Sequence, residues 1–145
     1  MSGIMIAIDL SPFSVDVVNA GVELARKLQL PVTLLTIVEQ SLGVALPEAG
    51  PAFIDDWEER LRLAEERMKD FTREHAGVDI KAEVMLGRPK EDTLASAREK
   101  GAEMLVIGTR GRTGLEHMLM GSTAEYIIRH STIPVLVVPF NKGKH

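Results

Sequence analysis

Residues 4–14 read Ile4-Met5-Ile6-Ala7-Ile8-Asp9-Leu10-Ser11-Pro12-Phe13-Ser14. An unbroken apolar run ends on a carboxylate. Such a run, without polar alternation, suits a strand buried on both faces, the situation of a parallel sheet covered by helices. Ser11 and Pro12 then signal a helix start, since serine caps well and the fixed φ of proline suits the first helical position. Val17, Val18, Gly21, Val22, Leu24, Ala25 and Leu28 follow at helical spacing. A buried strand feeding an amphipathic helix is the opening unit of an α/β protein.

The rest of the chain repeats that unit. Pro31 closes the connection, and Val32-Thr33-Leu34-Leu35-Thr36-Ile37-Val38 is a second β-rich run. Residues 40–50 hold Gly43, Pro47 and Gly50 and read as a loop. A long amphipathic helix is expected from about residue 53 to 75, with Trp57, Leu61, Ala64, Met68 and Phe71 on one face. Glu58, Glu59, Arg62, Glu65, Glu66, Lys69 and Asp70 form its solvated face, and Trp57 reads as a core or interface anchor. Residues 78–86 alternate partly, as an edge strand does. Gly87-Arg88-Pro89 turns into a helix over residues 90–100, which Gly101 stops. Residues 104–107 are a fourth buried strand. A glycine-rich segment then leads to a short helix over residues 122–130, with Ala124, Ile127 and Ile128 inward. Residues 134–139 are a fifth strand, and 141–145 a polar tail. Strand and helix alternate throughout, which predicts one α/β domain over residues 1–145 with a mostly parallel sheet and right-handed crossovers.

Composition narrows the function. The chain has 145 residues, with 17 Lys+Arg against 21 Asp+Glu and a net charge of −4. That length suits one domain. With 45% hydrophobic and 26% charged residues it has the balance of a globular protein, not a disordered one. An acidic balance argues against nucleic-acid binding, which needs a basic surface. Aromatics at 4% leave few platforms for stacking bases. The lack of cysteine removes disulfides, cysteine-zinc sites and thiol catalysis. The apolar start has no basic segment before it and no cleavage site after it. No run approaches the ~20 apolar residues that span a bilayer. The expectation is a cytoplasmic protein without membrane contact.

In an open α/β sheet, ligands bind beyond the carboxyl ends of the strands, where the strand order reverses. Two loops in that layer are chemically unusual. One is the Asp9 to Ser14 turn after the first strand. The other is Gly108-Thr109-Arg110-Gly111-Arg112-Thr113-Gly114 after the fourth, with Gly121-Ser122-Thr123 opening the next helix. Glycines let backbone N–H groups approach an anion closely. A helix N-terminus adds unsatisfied donors and a favourable dipole. Ser122 and Thr123 add hydroxyls, and Arg110 and Arg112 add charge. Together these describe a phosphate cradle. Glycines also serve turn geometry alone in many connectors, and spacing does not decide between the two readings.

Other phosphate and catalytic signatures are missing. The sequence has no G-x-x-x-x-G-K-[ST], no G-x-G-x-x-G after the first strand and no G-x-S-x-G. His75, His117, His130 and His145 form no H-E-x-x-H and no tight ligand cluster. His117 reads as a solvated loop residue. His130 sits near a helix C-terminus, where a cation is favourable.

Gly108, Gly111, Gly121 and Ser122 together match G-x2-G-x9-G-[ST]. This resembles the ATP-binding motif of the universal stress protein family. Ile6-Ala7-Ile8-Asp9 with Ser11 and Ser14 resembles that family's first strand and D-x-S-x-x-S turn. Gly87-Arg88-Pro89 is similar to its G-x-P turn, and Ile133-Pro134-Val135-Leu136-Val137-Val138 to its terminal strand. The resemblance covers the chain apart from residues 40–52. It implies a Rossmann-like, open five-stranded parallel sheet in the order 3-2-1-4-5, with helices on both faces. The two unusual loops would then face each other across one crevice.

The complete glycine motif resembles the ATP-binding members of the family. Carried over by position, Gly108, Thr109, Arg110, Gly111, Arg112, Thr113 and Gly114 would wrap the ribose and phosphates. Gly121, Ser122 and Thr123 would hold phosphates at the helix start. Asp9 would lie near the adenosine, or near a Mg²⁺ or Mn²⁺ ion through water. The backbone of Ile37 would meet the adenine edge, and Ala7 would supply apolar wall or backbone. Leu10 and Thr36-Ile37 stand where the family often has Gly and His-Val.

The resemblance implies an ATP-binding stress-response protein, a dimeric nucleotide-dependent switch with a protein partner the sequence does not name. Rapid phosphoryl transfer needs a positioned base and strong charge clamps. No P-loop lysine or evident general base is present, so no catalytic residue is assigned. The alternatives are a nucleotide-free dimeric interaction module and a slow nucleotide hydrolase. The dimer is expected through the fifth strand, Val135, Leu136, Val137 and Val138, which the resemblance puts at a sheet edge. No charge occurs between Ser131 and Phe140. Pairing across a two-fold axis would cover that apolar edge, and Pro134 and Pro139 would limit its spread.

Overall fold

The structure is a computed structural model that describes residues 3–39, 56–109 and 120–140. Five strands, β1 (Ile4–Ile8), β2 (Val32–Val38), β3 (Ile80–Leu86), β4 (Met104–Gly108) and β5 (Val135–Val138), alternate with four helices among those residues. The helices are α1 (Ser14–Leu28), α2 (Trp57–Glu74), α3 (Pro89–Glu99) and α4 (Ser122–His130). All strand pairs are parallel, in the order β3-β2-β1-β4-β5.

The unbroken apolar run of β1 serves two cores at once. Ile4, Ile6 and Ile8 face a layer formed by Val17, Val18, Val22 and Ala25 of α1 and Met68 and Phe71 of α2. Met5 faces the opposite layer with Ala97 of α3 and Ala124 and Ile127 of α4. The neighbours alternate the same way, Leu34 and Val106 toward the first layer, Leu35, Leu105 and Ile107 toward the second. Each such side chain contributes about 1.5–3 kcal/mol by leaving water, so a polar residue anywhere in β1 would unbalance one layer.

Helix boundaries depart from the sequence reading in several places. Helix α1 starts at Ser14 with Phe13 at the cap position and no side-chain cap bond. Ser11 does not cap it. The Ser11 amide is held by Asp9 Oδ1 at 3.0 Å, and the Ser11 carbonyl accepts the Ser14 amide at 2.9 Å, so residues 11–13 form a turn ahead of the helix. Helix α2 starts at Trp57, capped by the Asp56 carboxylate, which accepts the Glu59 amide at 3.1 Å. The loop expected at 40–50 and the helix start expected near residue 53 lie outside the described residues. Helix α3 begins at Pro89, and the Asp92 carboxylate accepts the Arg88 amide at 2.7 Å ahead of it. Gly101 ends that helix in the left-handed region, at φ +65°.

Ile128 was expected inward and is 42% exposed. The short α4 buries Ala124 and Ile127, and the next residue round the helix falls outside that stripe. No helix among the described residues is long and apolar enough to cross a membrane.

Candidate functional site

The sheet parts where its order reverses. β1 and β4 stay in register from Ile4↔Met104 to Ile6↔Val106, yet β1 runs on to Ile8 and β4 to Gly108. On their outer sides the ladders hold longer, to Ile8↔Thr36 and Gly108↔Val138. A cavity of about 340 Å³ opens at this parting, within the size range of small-molecule sites. Ala7, Ile8, Asp9, Phe13, Ser14 and Val17 line one side. Leu35, Ile37 and Glu39 come from β2 and the residue after it, Pro89 and Thr93 from α3, and Ile107 and Gly108 from β4. Gly121, Ser122, Thr123, Ala124 and Ile127 complete the wall from the start of α4.

Asp9 follows the last residue of β1. The end of that strand is tied down by Thr36, whose buried hydroxyl donates to the Ile8 carbonyl at 2.8 Å. Asp9 Oδ1 accepts the Ser11 amide at 3.0 Å and the Ser14 hydroxyl at 3.2 Å. Asp9 Oδ2 is buried and has no hydrogen-bond partner among the described residues, and the same holds for the Ser11 hydroxyl. Leu10, next in the chain, has φ +63°, in the left-handed region that favours glycine. A glycine would suit this backbone directly.

Across the cavity, Gly121 enters α4 in an extended conformation, and no side-chain cap bond is made there among the described residues. The first-turn amides around Ser122 and Thr123 are thus uncapped donors at the positive end of the helix. Gly108 has a steric reason to be glycine. A Cβ there would stand 2.7 Å from Phe13 Cε1 and 3.0 Å from Val17 Cγ2. The Phe13 ring occupies that space and forms part of the wall. At the β2 end, Arg60 Nη2 donates to the Glu39 carbonyl at 2.7 Å, linking α2 to a cavity residue.

Of the residues expected at a site, Ala7, Asp9, Ile37, Gly108, Gly121, Ser122 and Thr123 come together around this cavity. Thr109 does not line it. It is 8% exposed, and its hydroxyl oxygen accepts the Phe140 amide at 3.0 Å. Arg110, Gly111, Arg112, Thr113, Gly114 and His117 lie outside the described residues. Sequence reasoning missed Ile8, Val17, Leu35, Glu39, Pro89, Thr93, Ile107, Ala124 and Ile127, and singled out Phe13 and Ser14 only as part of the Asp9 to Ser14 turn. Most follow the ordinary pattern of core positions, so periodicity gave no separate signal. Ser14 and Pro89 did carry one, in the D-x-S-x-x-S and G-x-P patterns.

The arrangement joins apolar walls to two polar stations, an acceptor at Asp9 and donors at the α4 start. That suits a ligand with a flat apolar part, hydroxyl donors and an anionic end. No Lys, Arg or His lines the cavity among the described residues, and no group of three His, Asp or Glu there could hold a metal ion. The resolved charge perturbation lies elsewhere, on the solvated face of α2. A hydrogen bond from Arg62 holds the Glu59 carboxyl below its usual range, and Arg62 also pairs with Glu66 at 2.8 Å.

The sequence matches the universal stress protein family over residues 1–139. It is 33% identical over 141 residues to Universal stress protein MJ0531 of Methanocaldococcus jannaschii, covering 93% of this chain and 80% of that protein. The fold is similar to that of universal stress protein UspA from Lactobacillus plantarum, with a TM-score of 0.80 at 22% identity over 94% of this chain and 97% of the other. It is also similar to a universal stress protein from Archaeoglobus fulgidus in complex with dAMP, with a TM-score of 0.67 at 22% identity over 94% and 97%. A universal stress protein in complex with cAMP gives a TM-score of 0.71 at 18% identity over 97% and 98%.

Proposed function

The chain belongs to the universal stress protein family, and within it we propose that the cavity between β1 and β4 binds an adenine nucleotide, ATP above all. Bound nucleotide would set the state of a dimeric regulatory switch; the protein is not an efficient enzyme. The observation that carries this reading is the facing pair of polar stations across one apolar cavity, the buried unpartnered Oδ2 of Asp9 and the uncapped start of α4. The dAMP and cAMP complexes of two similarly folded proteins support an adenine nucleotide as the ligand class.

In this reading the base lies against Ala7, Leu35 and Ile37 and meets the Ile37 backbone. Asp9 Oδ2 takes a hydroxyl donor. Gly108 and the segment 110–114 would wrap the ribose and phosphates, and Gly121, Ser122 and Thr123 would supply amides and hydroxyls to the phosphates. Mg²⁺ or Mn²⁺ would be held chiefly by phosphate oxygens and water, with Asp9 and Glu39 as the two carboxylate residues of the lining. The residues fit such an ion only as a companion of the nucleotide. Dimerisation would use β5, an edge strand whose Leu136 is 37% exposed.

A melting series with ATP, ADP and AMP, with and without Mg²⁺, tests the reading. At ligand near 100 times Kd, linkage gives about 2.7 kcal/mol, or about 5–10 °C for a domain of this size. No shift with any nucleotide at millimolar concentration would refute it. Mass spectrometry of the denatured protein identifies any nucleotide carried through purification.

A further inference from the structure

Thr109 sits just beyond β4 and is buried, yet its polar groups all serve the chain itself. Its amide donates to the Val138 carbonyl at 3.1 Å, its carbonyl accepts the Gly121 amide, and its hydroxyl oxygen accepts the Phe140 amide at 3.0 Å. These bonds lead in two directions, to the end of β5 and to the first residue of the α4 wall. The last registered pair of the β4–β5 ladder is Gly108↔Val138. The Thr109 hydroxyl adds one more link beyond it, and that link draws the backbone after Pro139 back across the end of β4.

Phe140 is placed by that link. Its ring meets Phe13 edge-on, with centroids 5.3 Å apart and planes at 67°. Phe13 is 6% exposed, stands at the cap of α1 and lines the cavity over the space a Cβ on Gly108 would fill. Neither Thr109 nor Phe140 lines the cavity itself.

We infer that Thr109 and Phe140 are a positioning pair for the site: their bond sets the Phe13 wall on one side and the α4 donors on the other. The inference rests on the nucleotide reading for its ligand, and on geometry alone for its effect on the cavity walls. It also gives the polar atoms of Thr109 a role distinct from ligand contact. A ligand residue would act through an atom facing the cavity. Thr109 acts through the backbone of residues 121 and 140.

The experiment uses the full chain as wild type, T109V, T109S, F140L and, as a stability control, F71L. Phe71 is buried on α2 and does not line the cavity. Calorimetric titration with ATP should show T109V and F140L weaker than wild type by about tenfold, the scale of one lost hydrogen bond or ring contact. T109S keeps the hydroxyl and should return to within about twofold of wild type. F71L should lose as much melting temperature and still bind ATP like wild type. In the ligand-free protein, the Gly121 amide should exchange faster with solvent in T109V than in T109S. Should T109V fail to fold, T109S and F140L carry the comparison.

Wild-type affinity in T109V or F140L would overturn the inference while leaving the nucleotide reading intact. Equal weakening in F71L would also overturn it, because global stability would then explain the loss. If wild type binds no nucleotide, the functional reading falls and the Gly121 exchange decides the positioning role: unchanged exchange in T109V overturns it, faster exchange supports it.

Discussion

The Ser14 hydroxyl donates to Asp9 Oδ1 at 3.2 Å, the same oxygen that takes the Ser11 amide at 3.0 Å. Both donors therefore land on one side of the carboxylate, and among the described residues Oδ2 is left buried without a partner. A buried acceptor stripped of water and unpaired costs about 1–3 kcal/mol, and more when charged. The turn folds around that penalty, and an incoming donor would relieve it. Ser14 thus decides which oxygen of Asp9 is available.

Asp9→Asn should separate folding from binding. The amide removes the charge from a partly buried, half-satisfied carboxylate, so urea unfolding should give equal or greater stability than wild type. ATP affinity should fall about 10- to 100-fold, since a hydrogen bond to a charged group contributes about 1.5–3 kcal/mol. Calorimetric titration checks the second half. Unaltered affinity would take Asp9 out of the site.

Leu10 holds a left-handed backbone at φ +63° while its side chain packs partly on the core. Leu10→Val should destabilise by about 1–2 kcal/mol, because a β-branched residue resists this region more strongly. Leu10→Gly relieves the backbone but loses packing and frees the unfolded chain, effects of about 0.5–1 kcal/mol that oppose each other. Its stability should lie close to wild type. Chemical denaturation of the two variants gives the order, and a valine variant as stable as wild type would contradict the strain.

Much of this was legible in the sequence. The buried run of β1, the strand-helix alternation and the Asp9 turn each express a local preference that tertiary packing did not override. The start of α1 was misplaced because Ser11 looks like a cap, and only the folded turn shows its amide committed to Asp9. Thr109 looked like a ligand donor because a hydroxyl in a glycine-rich segment has no visible protein partner in the sequence. Its partner is Phe140, 31 residues later, and only the Gly108↔Val138 register brings the two together. Pro89 and Thr93 reach the cavity from α3 for the same reason, through a crossover that periodicity cannot locate.

Leu136→Lys should weaken a β5-mediated dimer. Leu136 is 37% exposed, whereas Val135 and Val137 pack against the α3–α4 layer. A charge at 136 would therefore disturb the edge, and a charge at 137 would disturb the core as well. Sedimentation at micromolar concentration should show a dimer for wild type and a shift toward monomer for the variant, with unfolding stability changed by about 0.5 kcal/mol or less, as for other surface substitutions. A monomeric wild type would refute the dimer.

Glu59 should titrate below an ordinary glutamate, chiefly because of its hydrogen bond from Arg62. A depressed folded pKa means the pair's contribution is present above the unfolded value and lost as pH falls through the folded one. The pair is on the surface, so the contribution to stability is small and weakens with salt. Arg62→Ala should move the Glu59 midpoint upward in an NMR titration. An unmoved midpoint would show that the hydrogen bond does not persist in solution.

The bond from Arg60 to the Glu39 carbonyl gives the molecule an optical reporter. Trp57, the single tryptophan, is the half-buried first residue of α2, one turn before the arginine that grips this cavity-lining residue. Indole emission responds to local polarity, and no second tryptophan blurs the signal. A ligand that shifts Glu39 pulls on the helix start that carries the fluorophore. Arrival and departure could then be timed by stopped-flow fluorescence on the unlabelled chain.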